Sequence, residues 1–121
     1  MIQKTKYFYT YYDNQTDEEW LATKKTGYTS PTWFYLTISE EGKDLGNCLV
    51  KLTKGYYNIL SLSIIPSMRG KGYGTQLIEY VKSLGKDIKI NSEIDAVKFY
   101  EKLGFVITNK ITREMKWIFV K

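Results

Sequence analysis

Gly70, Gly72 and Gly74 fall within five positions, set beside Arg69 and Lys71 and followed at once by Leu77, Ile78, Val81 and Leu84 at helical spacing. A helix that opens directly after a strand presents unpaired main-chain N–H groups and the positive end of its dipole, a site for an anion that needs no charged side chain. Glycine adds a positive φ and a close approach to the backbone, while Arg69 and Lys71 place mobile charge at the rim. The stretch from Arg69 through Tyr73 to Thr75 therefore reads as a cradle for a pyrophosphate. It is neither a Walker A loop, since no Gly-Lys-Ser/Thr closes it, nor a full G-x-G-x-x-G dinucleotide turn. The competing reading is a flexible basic loop that caps a core helix.

Other chemistries are excluded by what the chain lacks. With no histidine and with Cys48 as the only cysteine, a Cys/His metal site, a Ser-His or Cys-His nucleophile pair and an internal disulfide are all ruled out. Cys48 itself reads as a small buried apolar residue.

The elements that must position the turn follow from periodicity and breakers. Lys6 to Tyr12 reads as a first strand ending at Asp13-Asn14, and Thr16 or Asp17 caps a short helix with Glu18 and Glu19 in its first turn and Gly27 as its stop. Trp33–Ile38 and Gly46–Leu52 form a hairpin about Glu41-Gly42-Lys43-Asp44. After a turn at Lys54-Gly55, the apolar run from Tyr57 to Ile65 reads as a central strand stopped by Pro66. Past the glycine turn and its helix, closed by Gly85, come a strand over Asp87–Ile90 and a helix from Ala96 to Leu103, opened by a capping box of Ser92 and Asp95 and closed by Gly104. Phe105–Ile107 and Met115–Val120 finish the chain as strands. The expected class is mixed α+β around one sheet.

At 121 residues the chain fits a single domain over 1–121 with one modest core. No repeat, no low-complexity tract, no secretory signal and no run of membrane-spanning length is present, so a soluble cytoplasmic protein with no membrane partner is expected. The net charge of +5 suits an anionic ligand but also ordinary lysine-rich solubility.

Two segments carry a resemblance to the GNAT superfamily of acyl-CoA-dependent N-acetyltransferases. Leu62-Ser63-Ile64-Ile65-Pro66-Ser67-Met68-Arg69-Gly70-Lys71-Gly72-Tyr73-Gly74 is similar to its strand-Pro-Arg/Gln-x-x-Gly-x-Gly/Ala motif, and Ala96-Val97-Lys98-Phe99-Tyr100-Glu101-Lys102-Leu103-Gly104-Phe105 to a second motif at the expected distance downstream. The resemblance covers Tyr57 to Phe105; Met1 to Lys54 matches only in the order of elements. It implies a GNAT-like, mostly antiparallel twisted sheet, splayed at its central strands and flanked by about three to four helices. It also implies acetyl-CoA as co-substrate, with no metal. Arg69, Gly70, Lys71, Gly72, Tyr73, Gly74 and Thr75 would hold the coenzyme pyrophosphate, and Ile64 and Ile65 would contact the pantetheine arm through their main chain. A bulge near Leu62 or Ser63 would splay this strand from Asp87–Ile90 and free an N–H for the thioester carbonyl.

By the same resemblance Tyr100 is the catalytic acid beside the thioester sulfur, in a direct transfer to a primary amine on a small molecule, a peptide N-terminus or a lysine. The base is not legible: Tyr57–Ile65 has no carboxylate, and Glu93 stands where relatives carry an asparagine, a position equally suited to a solvated glutamate at a helix start. Two alternatives follow: an inactive acyl-CoA-binding module, and nucleic-acid association through Arg69, Lys71, Lys82, Lys86 and Lys89, which read first as a solvated face. Tyr7, Phe8, Tyr9, Tyr11, Tyr12, Trp20, Tyr28, Trp33, Phe34 and Tyr35 line an acceptor pocket or, by the commoner pattern, build the sheet core. A homodimer through sheet edges stays open.

Overall fold

The computed structural model describes residues 1–120. Runs of consecutive buried residues along Trp33–Glu40 (β4) and Lys43–Thr53 (β5), flanked by the less buried Tyr56–Ile64 (β6), make the central meander, joined by turns in which Glu41, Gly42, Lys54 and Gly55 all take positive φ. Asp87–Asn91 (β7) lies parallel to β6, and Val106–Asn109 (β8) and Glu114–Trp117 (β9) complete one side of the sheet. On the other side Ile2–Thr5 (β1) pairs with β4, giving the order β1-β4-β5-β6-β7-β9-β8 with β6–β7 as its parallel pair.

Tyr73–Ser83 (α2) covers one face, burying Leu77, Ile78 and Val81 completely among Leu36, Ile38, Val50, Ile65 and Ile88. Each such side chain contributes about 1.5–3 kcal/mol, so this face anchors the turn that precedes it. Asp17–Ala22 (α1) and Val97–Lys102 (α3) are short. The expected mixed class, mostly antiparallel sheet and helix number are found.

Four expectations need correction. The first strand does not run from Lys6 to Tyr12. Ile2–Thr5 enters the main sheet, while Tyr7–Phe8 (β2) leaves it to pair with Lys25–Thr26 (β3) in a separate ribbon. Asn47 holds β2 in place, donating from Nδ2 to the Tyr7 carbonyl (3.1 Å) and the Thr37 hydroxyl (3.0 Å). Second, α1 is capped by a Thr16–Glu19 capping box but ends at Ala22, not at Gly27. Gly27 donates to the Lys6 carbonyl, and a Cβ there would overlap the Tyr35 hydroxyl, so glycine serves a close approach rather than a helix stop.

Third, Ser92 and Asp95 form no capping box. Ser92 Oγ donates to the Glu93 carbonyl, Ile94–Ala96 is a 3₁₀ turn, and α3 begins only at Val97. Fourth, the irregularity in β6 lies before Leu62. Leu49 faces Ser61 while Val50 faces Ile59, so Leu60 is the extra residue.

Candidate active site

β6 ends at Ile64, Pro66–Met68 makes one 3₁₀ turn, and the chain reaches α2 through Gly70 at φ +75° and Gly72 at φ +92°. Ser67 fixes this turn from outside. Its N–H (2.9 Å) and hydroxyl (2.5 Å) donate to the Asp17 carboxylate at the start of α1, and these bonds hold that carboxyl below its usual pKa. Gly72 is the helix N-cap and supplies no side-chain acceptor. Among the described residues no acceptor meets the main-chain N–H groups from Gly70 to Thr75; the helical bonds start with Gln76 N–H to the Gly72 carbonyl at 3.0 Å. Six successive amides are thus unpaired, at the positive end of an eleven-residue helix.

A Cβ on Gly70 or Gly72 would meet nothing within 4 Å, so these glycines supply dihedral freedom rather than space. Gly74 differs: it is buried in α2, and a Cβ would stand 3.3 Å from Phe99 Cζ, so it sets the approach of α2 to α3. Arg69 does not lie freely at the rim. Its Nε donates to the Ile64 carbonyl (3.0 Å) and its guanidinium lies 3.8 Å from the Tyr11 ring centroid. Lys71 is exposed, and Tyr73 donates its hydroxyl to Glu40 at 3.1 Å, a bond that raises the phenol pKa.

Beside the turn the sheet opens. β6 and β7 pair from Tyr56–Asp87 to Ile59–Ile90 and no further, stopping where Leu60 is inserted, while β6 stays paired to β5 as far as Ile64. The Ile65 N–H donates to the Leu45 carbonyl at 2.8 Å; by antiparallel alternation Ser63 and Ser61 also turn their main-chain groups to β5, and Leu62 and Ile64 turn theirs to the gap. The main-chain contact expected of Ile65 is therefore spent within the protein. Its carbonyl accepts the Met68 N–H and its side chain is fully buried. Two cavities fill the gap, of about 640 Å³ against the glycine turn and about 620 Å³ further in, sharing Tyr11, Leu62, Ser63, Ala96 and Phe99 as a common wall.

Tyr100 lines the inner cavity from α3, packed edge-on against Phe99 (4.9 Å) and Phe105 (5.5 Å). No protein group bonds its hydroxyl among the described residues, and the fully buried unpaired side-chain atoms are Asn47 Oδ1 and Thr53 Oγ1, so this hydroxyl keeps access to the cavity. Burial, with Cys48 adding to it, raises the phenol well above 10, which keeps its proton in place. Cys48 is buried as expected, its thiol pushed up to about 12 by that burial despite a backbone hydrogen bond involving Leu36.

The aromatic N-terminal third divides between both readings. Trp20 is fully buried, stacks on Tyr9 at 4.0 Å and donates Nε1 to Ser63 Oγ at 2.6 Å, while the Tyr9 hydroxyl donates to Asp44 at 2.5 Å. Burial, then the Asp44 bond, raises the Tyr9 phenol strongly. Phe8 stacks on Tyr35 at 5.6 Å, and both line the inner cavity with Tyr9 and Tyr11. Tyr28 and Tyr12 are exposed. The Trp20–Ser63 and Tyr9–Asp44 links had no sequence signal, being contacts across 43 and 35 residues. Glu93 lines the inner cavity and is exposed; no metal-binding cluster occurs among the described residues, and no described helix is long and apolar enough to cross a membrane.

Comparison with solved structures finds the same architecture. The chain superposes on a protein from Klebsiella pneumoniae described as a candidate acyl-CoA N-acyltransferase with a TM-score of 0.71, at 16% identity, over 99% of this chain and 97% of that one. The Bacillus subtilis N-acetyltransferase YlbP, solved in complex with coenzyme A, gives a TM-score of 0.62 at 20% identity, over 69% and 66%. In sequence, an uncharacterized N-acetyltransferase from Brevibacillus brevis is 44% identical over 50 residues, which are 41% of this chain and 32% of the relative. The match thus spans about a third of the length of such curated relatives. The family model of the acetyltransferase (GNAT) domain matches residues 31–107, from the central hairpin through the glycine turn and Tyr100 to β8. Since that match runs through well over half of the chain, the protein belongs to the GNAT acetyltransferase family.

Proposed function

We propose that the protein transfers an acetyl group from acetyl-CoA to a primary amine. The observation that carries this is the run of six unpaired amides from Gly70 to Thr75 opening onto a gap beside β6. A pyrophosphate fits that run in charge and in donor geometry, and no side chain would have to leave. Leu62 and Ile64 then offer main-chain groups to an extended arm, with Ile64 limited to its N–H because Arg69 already bonds its carbonyl.

Acetyl-CoA supplies an acyl group on a good leaving thiolate. A lysine-like amine is neutral in roughly one molecule in 2,500 at pH 7, so the acceptor must lose a proton to solvent before it attacks. The amine nitrogen bonds to the acyl carbon, the carbon–sulfur bond breaks, the departing sulfur takes its proton from the Tyr100 hydroxyl, and the proton that the nitrogen sheds as it becomes an amide returns through water to the Tyr100 phenolate. Tyr100 suits this role because burial keeps it protonated and no protein acceptor holds its proton. After Leu60 the strand stays paired to β5 but its β7-facing main chain lies free along the same gap, and in this reading the Leu62 N–H polarises the thioester carbonyl.

A second reading, coenzyme A binding without transfer, is favoured by one observation: Glu93 is the sole carboxylate lining the inner cavity, and it is exposed. Calorimetric titration with acetyl-CoA and with free CoA, followed by an amine screen on the same sample, decides between them. Binding at micromolar concentration with amine-dependent thiol release supports transfer. Binding with no acetylated amine supports the second reading, and no binding near millimolar concentration removes both.

A further inference from the structure

The inner cavity is chemically one-sided. Of the residues that line it none is lysine or arginine, and Glu93 is the only one with a full charge at neutral pH. The rest of its wall is uncharged: Thr10, Ser61, Ser63, Asn91 and Ser92 are polar, and the aromatic part is Phe8 stacked on Tyr35, Tyr9 held by Asp44 and Trp20, and Phe99 beside Tyr100. Two cations stand behind its lining and both are committed: Arg69, in the outer cavity, to the Ile64 carbonyl and the Tyr11 ring, and Arg113, whose Nε donates to the Ser92 carbonyl at 3.0 Å. The +5 net charge is no substitute, because it acts across a screening length of about 8 Å at physiological salt.

We propose that the acceptor is an apolar, preferably aromatic, primary amine carrying no carboxylate or phosphate near its nitrogen. This rests on the transferase reading given above. An ammonium group entering the cavity meets aromatic faces and Glu93, both favourable to a cation, and an aryl group finds the Phe8–Tyr35 pair. A free amino acid brings the same amine with a carboxylate one carbon away, and that charge would be desolvated with no cation in the wall to pair with it and Glu93 opposing it. The Tyr35 ring sits where it does because Gly27 has no side chain, which makes Gly27 a specificity-determining position remote from the glycine turn.

The test compares 2-phenylethylamine with L-phenylalanine, which differ by the carboxylate, and with butylamine and spermidine. Thiol release with acetyl-CoA gives kcat/KM, and calorimetry on the CoA-saturated protein gives amine affinity independently of turnover. The expected kcat/KM for 2-phenylethylamine is roughly 100-fold above L-phenylalanine and about tenfold above butylamine, with the same rank in affinity. Gly27→Ala should lower the 2-phenylethylamine value about tenfold while leaving acetyl-CoA affinity unchanged. Phe8→Ala, at a half-buried position of the two-residue β2, provides the same readout if Gly27→Ala does not fold.

Equal or better rates with L-phenylalanine or spermidine overturn the proposal and leave the transferase reading standing. Acetyl-CoA binding with none of these amines bound or acetylated also overturns it. Failure to bind acetyl-CoA overturns the underlying reading instead.

Discussion

The turn from Gly70 to Thr75 and the wall around Phe8, Tyr9 and Tyr35 border the same gap but are built from different materials. The turn offers main chain: six open amides whose positions are set by two left-handed glycines and an anchored helix. The wall offers side chains, brought together by β2 leaving the sheet, by the Asn47 link to the Tyr7 carbonyl and by the bare backbone at Gly27. A site made of backbone can accept one invariant ligand part while the rest of the sequence varies. One made of side chains changes its preference with each substitution. On the proposed function, the difference separates a fixed donor half from an adjustable acceptor half.

The strongest way to break that division is at the chemistry between the halves. Tyr100→Phe should lower kcat by about 10²- to 10³-fold while acetyl-CoA affinity by calorimetry stays within about twofold, since the acid acts on the leaving sulfur and not on the pyrophosphate. An unchanged kcat would remove Tyr100 from the reaction. The pH profile adds a sign. Burial raises the Tyr100 pKa, so the protonated acid persists through pH 10, and kcat/KM should climb by about tenfold per unit below the amine pKa with no falling limb before that point. A falling limb between pH 8 and 9 would contradict it.

Next in size is the backbone half. Gly72→Ala should weaken acetyl-CoA binding roughly 5- to 30-fold, because holding a left-handed dihedral costs an L-residue about 1–2 kcal/mol. Gly42→Ala imposes the same strain at φ +77° in the β4–β5 turn, and should lower Tm without changing that affinity. If both variants bind equally well, the turn conformation is not what the ligand uses. The smallest effect belongs to the wall. Tyr9→Phe removes the hydrogen bond to Asp44 but keeps the stack on Trp20, and should cost about 1 kcal/mol in denaturant unfolding with acetyl-CoA affinity untouched.

The same contrast explains what was legible in the sequence. Glycine is an instruction about backbone, and Gly70, Gly72 and the apolar spacing of Leu77, Ile78 and Val81 declare their structure locally. The β4–β5–β6 meander was equally plain, because breakers at Gly42, Gly55 and Pro66 separate its strands. Arg69 could be placed at the turn but not oriented, because its partners, the Ile64 carbonyl and the Tyr11 ring, are chosen by packing. Lys6–Tyr12 has strand composition throughout, yet Tyr9 is drawn out of the ladder by Trp20 and Asp44. The Ser92–Asp95 pair has capping spelling, but Ser92 bonds the adjacent Glu93 carbonyl instead. Leu60 carries no mark of being the unmatched residue, since an apolar side chain in an apolar strand is compatible with either register.

That unmatched residue has a consequence for how the protein can change. Upstream of Leu60 the odd-numbered positions Tyr57 and Ile59 direct their peptide groups toward β7; downstream the even-numbered Leu62 and Ile64 do so. Leu60 thus shifts the count by one, so that peptide groups go on facing the β7 side after the β6–β7 ladder has stopped. Loss of one codon there would leave the same peptide groups facing β7 but remove the extra residue that bends the strand away, so the ladder could run on and narrow the cleft without altering any residue of the glycine turn.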